Sequence, residues 1–199
     1  MYETHTDVGP GDALIVVDVQ NDFLPGGALG VPDGDAVVAV LNRWIADFEA
    51  AGLPIFFTRD WHPANHCSFE ARGGPWPPHC IASTPGAAFA DDLEMPASAE
   101  VISKATTEDE EAYSGFQGTG LADRLSALGV KRVFVGGLAT DYCVRATVLD
   151  ARQSGLEAWV VEPAVRAVNV HLDDGERAMK EMKDAGARIT DALEPSVSA

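Results

Sequence analysis

Ala13-Leu14-Ile15-Val16-Val17, followed at once by Asp18-Val19-Gln20-Asn21-Asp22-Phe23, is the stretch on which the fold turns. Five apolar residues in a row cannot form a strand with one wet face. They read as a strand buried on both faces, which is the habit of parallel sheets covered by helices. The pattern continues outward from there. Val37, Val40, Leu41, Trp44, Ile45 and Phe48 recur at helical spacing within Ala36 to Ala51, and Gly52 ends that helix. Pro54 to Thr58 and Val101 to Ser103 are the next strands. Leu121 to Leu128 is a helix stopped by Gly129, and Arg132 to Val135 a strand. Tyr142 to Gln153 is a helix, Ala158 to Val161 a strand, Asp173 to Ala185 a helix and Arg188 to Thr190 a last strand. Alternating strands and helices predict a three-layer, doubly wound α/β sandwich with a mostly parallel sheet.

The bulk properties set the frame. A chain of 199 residues, 46% of them apolar, suits one domain with a substantial core. The formal net charge of −17 repels phosphate backbones and anionic membranes, which argues against nucleic acid and membrane partners. No apolar run approaches the ~20 residues of a membrane helix. Cys67, Cys80 and Cys143 are too few, and odd in number, for a disulfide framework. A reducing cytoplasm is the expected location. The polar segment 1–11 reads as a flexible N-terminus.

Two stretches interrupt the rhythm, 60–99 and 106–120. The first is rich in Pro, Gly, His and Trp, and reads as an ordered loop region that builds a pocket. In an open parallel sheet, ligands bind beyond the carboxyl ends of the strands. Asp18, Asp60, Lys104 and the segment Ala139 to Cys143 follow four different strands, so topology alone brings them to one edge.

Cys143 lies where a loop turns into a helix, so the helix dipole favours its thiolate and nearby N–H groups can face an oxyanion. The plain alternative is a buried, inert cysteine; Asp18 and Lys104 at the same edge weigh against it. Asp18, a carboxylate at the end of a buried strand, is the candidate general base, while Asp22 better suits a loop-bonding role. Lys104 would hold Asp18 ionised and stabilise developing negative charge, unless it is a surface lysine. Asp60, His62 and His79 are candidate metal ligands: Asp-x-His puts two donors on one side of an extended segment. Zinc comes first for this donor set, with iron and manganese also compatible. His66 and Ser68 are possible additions to the shell, directly or through water. Phe23, Trp76 and Tyr113 would wall a flat pocket, although aromatic loop residues often only pack. His5 and His171 read as surface residues.

Several segments match a known family: Val16 to Phe23, Gly26-Gly27-Ala28-Leu29, Thr58-Arg59-Asp60-Trp61-His62-Pro63, Trp76-Pro77-Pro78-His79-Cys80, Lys104, Tyr113 to Phe116 and Gly137 to Val144. In this order they resemble the nicotinamidase/pyrazinamidase branch of the isochorismatase-like cysteine hydrolases. The resemblance implies a catalytic triad of Asp18, Lys104 and Cys143, and a divalent metal on Asp60, His62 and His79. It also implies a cis bond at Ala139–Thr140, an oxyanion hole from the Ala139 and Cys143 amides, and ring contacts from Phe23, Trp76 and Tyr113. Some members carry another histidine six positions after the Asp-x-His histidine; here that position is Ser68, and His66 comes four after. The implied reaction is hydrolysis of nicotinamide, and of pyrazinamide, to the acid and ammonia, within NAD salvage. The rivals are an amidase acting on a carbamoyl or ureido substrate, a vinyl ether hydrolase that needs no cysteine, and a binding module that releases no ammonia. The family's habit of self-association allows a homo-oligomer, although no apolar stripe marks an interface.

Overall fold

The computed structural model describes residues 6–197. In chain order it contains β1 (Asp7–Val8), β2 (Asp12–Val17), α1 (Ala36–Ala50), β3 (Ile55–Asp60), β4 (Glu100–Lys104) and α2 (Leu121–Ala127). There follow β5 (Arg132–Leu138), α3 (Arg145–Gln153), β6 (Glu157–Arg166), α4 (Asp174–Asp184), β7 (Arg188–Thr190) and β8 (Ser196–Val197). Six strands form one sheet in the order β4-β3-β2-β5-β6-β7, and every neighbouring pair is parallel. The chain winds outward from β2 to one edge, returns, and winds to the other. The reversal falls between β2 and β5, and a crevice opens there beyond the strand ends.

β2 is the central strand, and all six of its residues are buried. Leu14 and Val16 face α1, together with Phe57, Phe134 and Trp159; Ala13, Ile15 and Val17 face α2, α3 and α4. One helix therefore covers one face and three cover the other. The apolar run is explained by this: alternate side chains enter two different cores, each residue worth about 1.5–3 kcal/mol of burial for a full-sized side chain. Trp44 of α1 packs its ring 5.3 Å from Phe134 and 6.2 Å from Phe48. Gly52, at φ +65°, ends the helix as expected, with the Leu53 N–H donating to the Phe48 carbonyl.

The structure extends several elements beyond their expected bounds. β5 runs to Leu138 and β6 to Arg166, with a register shift between Val135 and Gly137. The helix expected from Tyr142 starts earlier, as a π turn over Thr140–Val144 that passes into α3. The flexible N-terminus needs correcting over residues 6–11. β1 pairs in parallel with β8, and Thr6 Oγ1 is 2.7 Å from Thr190 Oγ1, so tertiary contacts hold a segment with no apolar pattern. Residues 1–5, including His5, lie outside the described residues, while His171 is exposed. The long stretch 60–99 is ordered by short 3₁₀ turns and bridges, among them His62 with Ile81 and Phe69 with Trp76. No helix among the described residues is long and apolar enough to cross a membrane.

Candidate active site

The strand ends deliver four side chains to one buried point. Asp18 follows β2, Asp60 and Lys104 end β3 and β4, and Cys143 sits in the π turn after β5. Each is at most 6% exposed. Asp18 and Ala105 hold positive φ, +47° and +49°, directly beside the points where the chain leaves the sheet. Such backbone in non-glycine residues persists only where its surroundings fix it.

Lys104 is the hub. Its Nζ is 2.9 Å from Asp18 Oδ2, donates to Asp60 Oδ1 and to the Ala112 carbonyl (3.1 Å), and lies 3.4 Å from Cys143 Sγ. Burial alone would lower its pKa; Asp18 and Asp60 outweigh that and hold it well above the ordinary lysine value. Burial raises Asp18, which Lys104 only partly offsets, while Thr58 Oγ1 donates to Asp18 Oδ1 at 2.6 Å. Burial also acts on Asp60, but Lys104 and His62 prevail and keep it ionised well below the usual carboxylate range. Cys143 departs from expectation. Its place in the first turn of a helix is confirmed, yet burial pushes the thiol well above its ordinary value, with Asp18 and Asp60 adding to the rise. Desolvation and two carboxylates outweigh the opposing charge of Lys104, so the resting group is a thiol that needs a base.

His62 and His79 stand on the far side of Asp60. His62 Nδ1–H donates to the Ala105 carbonyl (3.3 Å) and His79 Nδ1–H to the Pro77 carbonyl (2.8 Å), which leaves both Nε2 lone pairs free. His62 Nε2 is 3.6 Å from Asp60 Oδ2. Donor atoms of Asp60, His62 and His79 all lie within 4.8 Å of one another, and burial lowers the His79 pKa and keeps it neutral. A carboxylate and two backbone-oriented imidazoles fit a divalent metal.

His66 and Ser68 do not join this set. His66 Nε2–H donates to the Glu110 carbonyl (3.1 Å), while its Nδ1 accepts from the Ser68 hydroxyl (2.8 Å). Both ring nitrogens are used, and the ring instead stacks on His62 with centroids 4.2 Å apart. The cis bond is likewise displaced. It joins Leu138 to Ala139, not Ala139 to Thr140. β5 stays paired as far as Leu138, opposite Arg166, and the helical turn already begins at Thr140, so the change of direction falls one residue earlier.

A pocket of about 380 Å³, its mouth included, opens above Cys143, Asp60 and His79. Phe23, Trp76 and Tyr113 line it as expected. Trp76 Nε1–H donates to the Tyr113 hydroxyl (3.1 Å), and Tyr142, which sequence reasoning passed over, meets Trp76 edge-on at 5.1 Å. Three supports were also missed. Gln20 is fully buried and grips the main chain of Asp60, accepting from its N–H and donating to its carbonyl, both at 2.8 Å. Asp141 accepts the N–H groups of Val168 and Asn169, both at 2.9 Å, and Val168 is part of the pocket wall. Thr58 holds Asp18. All three lie inside or beside the quoted segments, so proximity to the motif was the available signal. Asp22 does bond a neighbouring loop, accepting the Cys80 N–H at 2.8 Å and so fixing the chain next to His79.

Known proteins are similar to this chain over most of its length. The nicotinamidase of Escherichia coli is 39% identical over 201 residues, covering 90% of this chain and 94% of its own. A crystal structure of the pyrazinamidase of Pyrococcus horikoshii in complex with zinc superposes with a TM-score of 0.87 at 53% identity, covering 90% of this chain and 98% of that one. PnC1 from L. infantum in complex with nicotinate gives 0.87 at 36% identity, over 97% and 98%. The model of the isochorismatase domain matches residues 12–194, and the chain belongs to that family.

Proposed function

We propose that this protein is a nicotinamidase, a cysteine amidohydrolase that converts nicotinamide to nicotinate and ammonia and accepts pyrazinamide as well. The observation that carries the reading is Lys104 Nζ in contact with both Asp18 and Cys143 at the floor of an aromatic pocket whose other end is the Asp60, His62 and His79 donor set. Asp18, Lys104 and Cys143 act as a triad. Asp18 takes the thiol proton, and Sγ attacks the carboxamide carbon. The oxyanion rests against the Ala139 and Cys143 amides. Asp18 returns the proton to the departing nitrogen, and ammonia leaves behind a thioester. Asp18 then draws a proton from water, which hydrolyses the thioester to nicotinate and restores the thiol. Lys104 steadies the charge of Asp18 throughout. Phe23, Trp76 and Tyr113 hold the ring.

Asp60, His62 and His79 would hold a divalent metal, with zinc first as in the P. horikoshii relative. When bound it supplies a Lewis-acid anchor for the ring nitrogen, which positions the amide over Cys143. A thiol nucleophile and free cysteines suit a reducing cytoplasm, where the product enters NAD salvage. The test is ammonia release from nicotinamide, pyrazinamide, benzamide and a ureido acid by metal-loaded protein. Turnover of the first two, with benzamide poor and the ureido acid inert, is the expected result. Preference for the ureido acid would replace this reading with that of a carbamoyl or ureido amidase.

A further inference from the structure

Thiolates are strong ligands for zinc and other borderline metals, so a metal held beside a cysteine nucleophile threatens to capture it. Here the two groups share a carboxylate. Donor atoms of Asp60, His62 and His79 lie within 4.8 Å of one another, and so do those of Asp18, Asp60 and Cys143. The second cluster, two carboxylates and a thiol, offers three donors to a borderline divalent metal such as zinc. Capture would cost the enzyme its nucleophile: Cys143–SH would lose its proton through Asp18 to solvent, and its sulfur lone pair would be bound to the cation, with nothing oxidised.

Lys104 occupies the middle of that second cluster. Its side chain is fully buried, and its ammonium contacts Asp18 Oδ2, Asp60 Oδ1 and Cys143 Sγ at once, with the Ala112 carbonyl as a further anchor. It takes the Asp60 oxygen on the thiol side and leaves Oδ2 on the side of His62. We propose that Lys104, besides supporting the triad, keeps the divalent metal on Asp60, His62 and His79 and off Cys143, acting as a resident cation where a second metal site would otherwise form. The inference rests on the metal reading of the first cluster.

Cobalt(II) tests it, because thiolate ligation gives a charge-transfer band in the near ultraviolet that nitrogen and oxygen ligation lacks. Cobalt-loaded wild type should show ligand-field bands without the thiolate band, and Cys143→Ser should leave its cobalt affinity unchanged. Lys104→Met, and Lys104→Gln, which keeps a donor but no charge, should gain the thiolate band, and adding Cys143→Ser to either should remove it. A thiolate band in wild type that Cys143→Ser abolishes would overturn the proposal, as would folded, cobalt-loaded Lys104→Gln or Lys104→Met without one. If both Lys104 variants fail to fold, the wild-type comparison decides: unchanged affinity in Cys143→Ser supports the proposal, and weakened affinity overturns it. Wild type that binds no cobalt would instead overturn the metal reading of Asp60, His62 and His79, and the inference with it.

Discussion

Thr58 Oγ1 donates to Asp18 Oδ1 at 2.6 Å across two neighbouring parallel strands, where Val17 and Thr58 are partners in register. The bond occupies one carboxylate oxygen and leaves Oδ2 to Lys104 and the thiol. It also favours the ionised form, against the burial that raises the Asp18 pKa. Thr58→Val removes that support, so the pKa moves further up and less carboxylate is present at any acidic pH. A hydrogen bond to a charged group is worth about 1.5–3 kcal/mol, or roughly one to two pH units. The acid limb of the pH–rate profile should shift upward by about that amount. An unmoved limb would show that Asp18 is not the base whose ionisation the profile reports.

Asp18→Asn should separate activity from stability. Asp18 has a folded pKa raised above its unfolded value, so its contribution to stability is full below the unfolded value and is lost as pH rises through the folded one. At neutral pH its ionised form is therefore a net cost, with two carboxylates sharing one ammonium. The variant should lose about 10²–10⁴ in kcat as the general base disappears, while its Tm at neutral pH equals or exceeds that of wild type. The advantage should vanish below pH ~4, where the carboxyl is protonated in both states. A clear fall in Tm at neutral pH would contradict this balance of burial against pairing.

Asp141 ties the turn of the nucleophile to the pocket wall through the Val168 and Asn169 amides. Asp141→Ala frees those amides and loosens Val168, which lines the pocket wall away from Lys104 and Asp18. KM should rise about tenfold, the equivalent of one such hydrogen bond, with a smaller change in kcat. A fall in kcat at constant KM would place Asp141 with the reacting atoms instead.

Much of the architecture was legible because it is written in periodicity. Ala13 to Val17 had to be buried on both faces, and the helical spacing of Val37 to Phe48 supplied one cover. The site was legible because parallel strands send their following residues to one edge, which is why Asp18, Asp60, Lys104 and Cys143 meet. Other features depend on contacts that no local pattern encodes. Which nitrogens of His66 are already used is decided by Glu110 and Ser68, and without them the ring looked like a ligand. The point where β5 leaves the sheet depends on its pairing with β6, which displaced the cis bond by one residue. The protonation of Cys143 depends first on burial, which the sequence did not show, although it did place Asp18, Asp60 and Lys104 at the same edge. Asp7 and Val8 are held by a strand from the other end of the chain, and Gly11 by Lys131 and Arg132.

The central claim is a thioester on Cys143, and the most direct measurement is an acid quench of wild type and Cys143→Ala during turnover of nicotinamide. The account predicts a nicotinoyl adduct on the Cys143 peptide of wild type by mass spectrometry, and no adduct and no ammonia release from the variant with its metal still bound. Sustained ammonia release from Cys143→Ala, or an adduct on any other residue, would contradict it.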